Sequence, residues 1–244
     1  MINKLSIVIP LFTFYVLSAL SACTSYKFTP EPILNKKSLV IFVPGFKGSE
    51  LIDNKTNKKI WLTSGEAFFG KTRLTIDNPD LEIEGYSDLR IGSLLDRIEI
   101  IPYFFYYNAY GNWIKEIKKI IPEDSQLTVW TYDWRQSSTT LGQEFHNHIC
   151  ELKNSGIENI SILAHSYGGL VTLDKTCKTE NVVKKTVFLG TPFQGTMWVF
   201  RDMELGIWQG LNNTILDNLA FSSLPSAYSM LPSLEKYLIS KNIL

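Results

Sequence analysis

The segment Ala164-His165-Ser166-Tyr167-Gly168 carries the side chain best suited to covalent chemistry. Ser166 has a small residue two places before it and two places after it. A sharp strand-to-helix turn demands that spacing, because a large side chain at either place would strike the neighbouring strand or helix. The pattern is G-x-S-x-G with alanine, the smallest substitute, in the first position. In such a turn the hydroxyl stands clear at the carboxyl edge of a sheet, beside a helix N-terminus. The backbone N–H of Tyr167 then faces the oxygen on which charge develops when the serine adds to a carbonyl. The chemistry implied is nucleophilic attack by the serine hydroxyl. The bare pattern is common, and its setting gives it weight: an apolar strand precedes it and Gly168-Gly169-Leu170 follows. A second oxyanion donor is expected from the loop after the first strong strand, Val43-Pro44-Gly45-Phe46-Lys47-Gly48-Ser49-Glu50-Leu51. Its glycines let the backbone come close to a substrate oxygen.

These groups need a frame, and the hydrophobic pattern supplies one. Ser38–Val43, SLVIFV, is a continuous apolar run and reads as a buried strand. Tyr110–Ile121 places Trp113, Ile114, Ile117, Ile120 and Ile121 at helical spacing and stops near Pro122. Leu127–Tyr132 reads as a strand and Ser138–Leu152 as a helix capped by Ser138 or Thr139. Ile160–Ala164 is a third strand, Gly168–Lys178 a third helix and Val183–Leu189 a fourth strand. Strands alternating with helices imply a parallel sheet covered on both faces. Residues 52–107 are less regular and rich in aromatics, as an insertion over the sheet would be, and residues 193–232 look helical and cap-like.

Composition narrows the partners. The 244 residues hold 24 basic and 24 acidic side chains, so the basic excess of a nucleic-acid binder is missing. Hydrophobic residues are 45% and charged residues 20%, the balance of a globular chain. No cluster with metal-ligand spacing and no phosphate loop suggests a metal or organic cofactor. Residues 1–22 read as an export signal: Lys4, then an apolar run from Leu5 to Leu20. Leu20-Ser21-Ala22-Cys23 resembles a bacterial lipobox, in which the Cys23 thiol takes a diacylglycerol, leaving residues 23–244 as the mature domain. Thr24 follows, and by resemblance to Gram-negative lipoproteins this implies an outer-membrane anchor with the body facing the periplasm. Cys150 and Cys177 remain, either paired in an oxidising compartment or packed as small hydrophobes.

Taken together, Pro44-Gly45-x-x-Gly48-Ser49-x-Leu51, Trp61, Tyr132-Asp133-Trp134-Arg135 and the Ser166 elbow resemble the lecithin:cholesterol acyltransferase family, which includes bacterial phospholipase/acyltransferase-like members. Leu189-Gly190-Thr191-Pro192-Phe193-Gln194-Gly195 and Leu224-Pro225-Ser226-Ala227-Tyr228-x-x-Leu231-Pro232 are similar to its later segments. The resemblance runs from about Leu39 to Pro232. It implies an α/β-hydrolase-like, mostly parallel sheet with helices on both faces and a cap. It implies Ser166 as nucleophile and the backbone N–H groups of Phe46 and Tyr167 as the oxyanion donors. It places Lys47, Trp61 and Trp198 on the substrate or cap side, and phospholipid or another acyl-ester lipid as substrate. The acyl group would pass from Ser166 to water or a lipid alcohol, with no cofactor.

In that fold the chain order is Ser, then Asp, then His. The three histidines are His146, His148 and His165, and none follows Ser166. His165 is expected to point away from the active edge as a packing residue, and His146 and His148 to lie on a solvated helix face. Asp174, Asp202 and Asp217 follow the serine, but none sits after a further strand. Three readings fit: the front part of an interrupted frame whose final strands are missing, a short protein that has lost hydrolysis, or a chain completed by a partner. A lipid-binding or scaffold lipoprotein is therefore the rival to an enzyme. Asp133 and Arg135 read as an ion-paired brace. The aromatic run Pro102–Tyr107 reads equally as an acyl track or cap core. Met197-Trp198-Val199-Phe200, with Leu205, Ile207, Trp208 and Leu211, reads as a lipid-facing lid or a packed cap helix.

Overall fold

A computed structural model describes residues 37–77, 84–86, 88–101, 105–173, 181–209 and 211–232. Cys23, Asp174, Cys177 and Pro102–Phe104 lie outside them, as do the expectations attached to those residues, and the side chains of 105–107 are likewise not described.

The centre is a parallel sheet of four described strands in the order β7-β1-β8-β9. These are β1 (Ser38–Val43), β7 (Ser125–Val129), β8 (Asn159–His165) and β9 (Val183–Leu189). Strand β1 pairs with β7 on one side and β8 on the other, which explains its unbroken apolar run: both of its faces are covered. Leu39, Ile41 and Val43 join the larger core, while Phe42 faces the opposite cluster with Tyr110, Ile114, Ile117 and Leu127. The period-two alternation of a strand divides them in this way. Helix α2 (Gly111–Ile120) covers the second face through Ile114 and Ile117. Helix α3 (Ser138–Asn154) covers the first through Leu141, Phe145, Ile149 and Leu152. Its cap is Ser137, one residue earlier than expected, because the Ser137 hydroxyl accepts the Thr140 N–H. Strand β9 is one of the two outer strands of the described sheet, and Lys184 and Lys185 lie on it.

Helix α4 (Tyr167–Val171) follows β8 after Ser166; Thr172 and Leu173 form a turn, and residues 174–178 of the expected helix lie outside the described residues. Between β1 and α2 a second, antiparallel sheet forms in the order β3-β2-β4, from β2 (Ser49–Asp53), β3 (Lys59–Trp61) and β4 (Leu89–Leu94). Helix α1 (Ser64–Phe69) follows β3, and β5 (Arg97–Ile101) and β6 (Phe105–Asn108) make an antiparallel pair. After β9 come three short helices, α5 (Trp198–Leu205), α6 (Asn218–Ser223) and α7 (Pro225–Ser229).

Candidate active site

Ser166 occupies the junction of β8 and α4 with φ 50° and ψ −121°. A serine rarely enters this left-handed region, which costs on the order of 1–3 kcal/mol and persists only where the surroundings impose it. The surroundings do so from three sides. The Ser166 N–H donates to the Leu189 carbonyl at the end of β9, 2.8 Å away, and the Ser166 carbonyl accepts the Gly169 N–H at 2.9 Å. Ala164 is fully buried against the core. At Gly168 a Cβ would lie 2.3 Å from the Pro44 carbonyl oxygen and 2.7 Å from that of Val43, so only glycine fits. The small residues that flank the serine in the sequence are therefore required by the backbone of β1 and its loop.

That same loop lies over the serine. A Cβ on Gly45 would sit 2.9 Å from Ser166 Cβ and 3.0 Å from His165 Nδ1. The loop is pinned along its length. The Tyr132 hydroxyl donates to the Pro44 carbonyl at 2.5 Å, the Gly45 N–H donates to the Tyr110 hydroxyl at 2.8 Å, and the Gly48 N–H donates to the Gly45 carbonyl at 3.0 Å. The Phe46 ring meets the rings of Trp134, Tyr167 and Phe221 edge to face, with centroids 5.0, 6.4 and 5.9 Å apart. Lys47 also takes positive φ, 65°, and its carbonyl accepts the Trp61 indole N–H at 3.0 Å. Among the described residues, no hydrogen bond occupies the backbone N–H of Phe46 or Tyr167. Both amides lie on the segments that flank Ser166.

The Tyr132-Asp133-Trp134-Arg135 segment braces this arrangement from beneath. The Tyr132 N–H donates to Ser49 Oγ and the Trp134 indole to the Ser49 carbonyl, at 3.1 and 3.0 Å. The Arg135 fork grips Asp133 through Nε and Nη2 at 2.9 and 2.8 Å, and its Nη1 donates to the carbonyls of Thr75 and Tyr86. Burial raises the Tyr132 and Tyr167 hydroxyls above their ordinary range, so both stay protonated donors; the second donates to the Gln136 carbonyl at 2.7 Å.

His165 packs against Tyr110 and Trp113, as expected of a packing residue. It lines a cavity of about 450 Å³ beside the elbow, with Phe46, Lys47, Trp61, Tyr110 and Trp113. Nδ1 lies 2.7 Å from the Tyr110 hydroxyl, and the ring meets Trp113 at 4.9 Å. Burial depresses its pKa, so the ring is neutral at pH 7. The Tyr110 hydroxyl thereby joins the loop over Ser166 to the residue beside Ser166. Helical spacing had marked Tyr110 only as the start of α2, and nothing in that spacing reports what a hydroxyl touches. His146 and His148 are half-buried on α3 rather than fully solvated; His146 Nε2 lies 3.5 Å from Cys150 Sγ, and burial depresses the His148 pKa.

Phe46, Lys47, Trp61, Ser166 and Tyr167 are therefore gathered around one loop and one turn. Burial pushes the Lys47 ammonium down to about 8 against the opposing field of Asp202. Trp61 is buried and packs on Trp134 at 5.0 Å. Trp198 is not part of this group: it is exposed, with Arg201 over its ring at 4.7 Å. Asp217 caps α6 and pairs with Arg73 at 2.6 Å, while Asp202 pairs with Arg201 at 2.6 Å. The Ser166 hydroxyl makes no hydrogen bond to any of the three histidines, all of which are described.

Three comparisons with known proteins gave matches. A protein-family model described as lecithin:cholesterol acyltransferase matches residues 56–242. The uncharacterized protein YJR098C of Saccharomyces cerevisiae (strain ATCC 204508 / S288c) is 24% identical over 177 residues, 69% of this chain. The alignment covers 25% of that protein, so the chain spans about a quarter of the length of the curated relative it matches. A chain in the crystal structure of the Tle4-Tli4 complex is similar with a TM-score of 0.46 and 19% identity, over 81% of this chain and 55% of that one. With well over half of its residues matched by the family model, the chain belongs to the lecithin:cholesterol acyltransferase family.

Proposed function

We propose that the chain is a serine acyl hydrolase or O-acyltransferase that acts on phospholipid or a related acyl-ester lipid. The observation that carries this reading is Ser166 held at positive φ directly beneath the Pro44-Gly45 loop. Ser166 Oγ attacks the ester carbonyl carbon and gives its proton to a general base that is not among the hydrogen-bond partners of Ser166 in the described residues. The carbonyl oxygen takes the negative charge and receives hydrogen bonds from the Phe46 and Tyr167 N–H groups. Collapse breaks the bond to the alcohol oxygen, which leaves with a proton, and the acyl group stays on Ser166. Water or a lipid hydroxyl then adds to the acyl carbonyl, the bond to Ser166 Oγ breaks, and the fatty acid or new ester leaves as Oγ regains a proton. The exposed apolar side chains Met197, Trp198, Leu205 and Trp208 support contact with a lipid surface. Anchoring through Cys23, with the domain facing the periplasm, follows from the lipobox-like Leu20-Ser21-Ala22-Cys23 and is part of the same proposal.

A second reading has a specific observation behind it. Among the described residues the Ser166 hydroxyl has no hydrogen bond to a histidine, and His165 is engaged with Tyr110. A chain that holds the pocket and the oxyanion loop without a base at the serine binds acyl lipids and does not turn them over. A fluorophosphonate probe separates the two. Labelling that is lost in Ser166→Ala supports the enzyme. A folded, unlabelled protein that still binds short-chain phospholipid supports the binder.

A further inference from the structure

Gly45 carries the loop over Ser166 into close contact with the elbow. A Cβ there would lie 2.9 Å from Ser166 Cβ, 3.0 Å from His165 Nδ1 and 3.2 Å from the Tyr110 hydroxyl oxygen, so three groups hem in one residue. Two polar contacts meet at the same place. The Gly45 N–H donates to the Tyr110 hydroxyl at 2.8 Å, and His165 Nδ1 lies 2.7 Å from that hydroxyl. A tyrosine hydroxyl has one proton to give and can accept at its oxygen. While it accepts from Gly45, it can still give its proton to an unprotonated Nδ1. The neutral imidazole carries a single proton, which this arrangement puts on Nε2. The ring meets those of Tyr110 and Trp113 edge to face, with centroids 5.6 and 4.9 Å apart, so packing fixes where Nδ1 stands.

Resting on the acyl-serine reading, we propose that His165 is a positioning residue of the oxyanion loop: its Nδ1 accepts the Tyr110 hydroxyl proton, which turns the hydroxyl oxygen to the Gly45 N–H and fixes the backbone that carries the Phe46 N–H. Hydrogen bonds in such a chain polarise one another, so loss of the terminal acceptor weakens the bond to Gly45 as well. His165 is the last residue of β8 and Ser166 follows it, so the ring and the nucleophile share one short piece of backbone. The loop is thereby held to the same strand end that holds the serine. Any small movement of β8 carries both partners of the reaction geometry together. A donor at a reacting centre that shifts by about 1 Å costs about 100-fold in rate, and a loop loosened by one hydrogen bond costs about tenfold.

The test compares wild type with His165→Leu, His165→Asn and His165→Gln in the full chain. An asparagine can put its side-chain oxygen where Nδ1 stands, whereas the longer glutamine reaches the position of Nε2. Nitrogen NMR of the wild-type imidazole should show Nδ1 unprotonated and the proton on Nε2. Hydrogen exchange at the Gly45 amide should quicken about tenfold in His165→Leu and His165→Gln and stay within about twofold of wild type in His165→Asn. Fluorophosphonate labelling of Ser166 should follow the same order, slowed in the first two and restored in the third. A proton on Nδ1 in the wild type overturns the proposal, and that spectrum needs no variant to fold. Equal Gly45 exchange in wild type and His165→Leu overturns it too. Three substitutions that act alike would mean packing alone, and this also overturns it. A wild type that takes no label removes only the acyl-serine reading, because the spectrum and the Gly45 exchange still decide the hydrogen-bond chain.

Discussion

Gly168→Ala tests the contact on which the site depends. The added methyl would sit 2.3 Å from the Pro44 carbonyl oxygen, 2.7 Å from the Val43 carbonyl oxygen and 3.0 Å from Val43 Cγ1. Two of these three are main-chain atoms, so no side chain can swing aside. Restoring an ordinary contact of 3.4 Å to the nearest one moves the loop or the elbow by roughly 1 Å. A shift of that size at a reacting centre costs about 100-fold in rate. The strain of overpacking costs about 1–3 kcal/mol, which for a domain of this length lowers the melting temperature by about 2–12 °C. The assay is the second-order rate of fluorophosphonate labelling at Ser166, beside a thermal melt. Gly65→Ala is the control, because its Cβ would meet only Thr63 Oγ1 at 3.8 Å. Expected is a labelling rate about two orders of magnitude lower in Gly168→Ala and unchanged in Gly65→Ala. A Gly168→Ala protein that labels and melts like the wild type would refute the packing of the Pro44-Gly45 loop on the elbow.

Tyr110→Phe removes the oxygen that accepts from Gly45 N–H and meets His165 Nδ1. It should destabilise the fold by about 1–3 kcal/mol, by chemical denaturation, and slow Ser166 labelling by about tenfold. Arg135→Met leaves Asp133 and the carbonyls of Thr75 and Tyr86 without their donor; a loss of about 3 kcal/mol in the same denaturation experiment is expected. For Lys47 the folded pKa of about 8 lies below the ordinary 10.5, so between those values the unfolded chain holds a proton that the folded chain has shed. Stability from this group therefore rises with pH across that window, and Lys47→Met, compared with wild type at pH 7.5 and 9.5, should remove that part of the rise.

The parallel sheet was legible because each strand is a short apolar run and each intervening helix carries its own period. SLVIFV could be nothing else once both of its faces were to be buried. The elbow was legible because steric exclusion leaves a mark at fixed positions, Ala164 and Gly168. The Asp133–Arg135 pair was readable as a brace only through the family resemblance of the whole Tyr132-Asp133-Trp134-Arg135 segment. Other features left no such mark. The cap at Ser137 rather than Ser138 depends on which hydroxyl reaches Thr140 N–H, a matter of one residue's backbone angles. The end of α4 depends on where the chain turns after Val171. The spacing around Trp198 fits both a lipid-facing lid and a packed cap helix, and only the exposure of its ring, outside the cavity lining, separates the two.

Spacing and side-chain size alone determined that a serine would stand on a tight turn at the end of a buried parallel strand, because those are local constraints that act within a few residues. The tertiary structure decided which distant groups surround it. It brought Tyr110, 55 residues before His165 in the chain, against that ring, and it set the ring on the cavity wall. It also placed Lys47, Asn108 and Gln209 around one space. Such contacts come from how the two antiparallel strand groups and the helices after β9 are laid against the sheet, and periodicity along the chain carries no record of that placement.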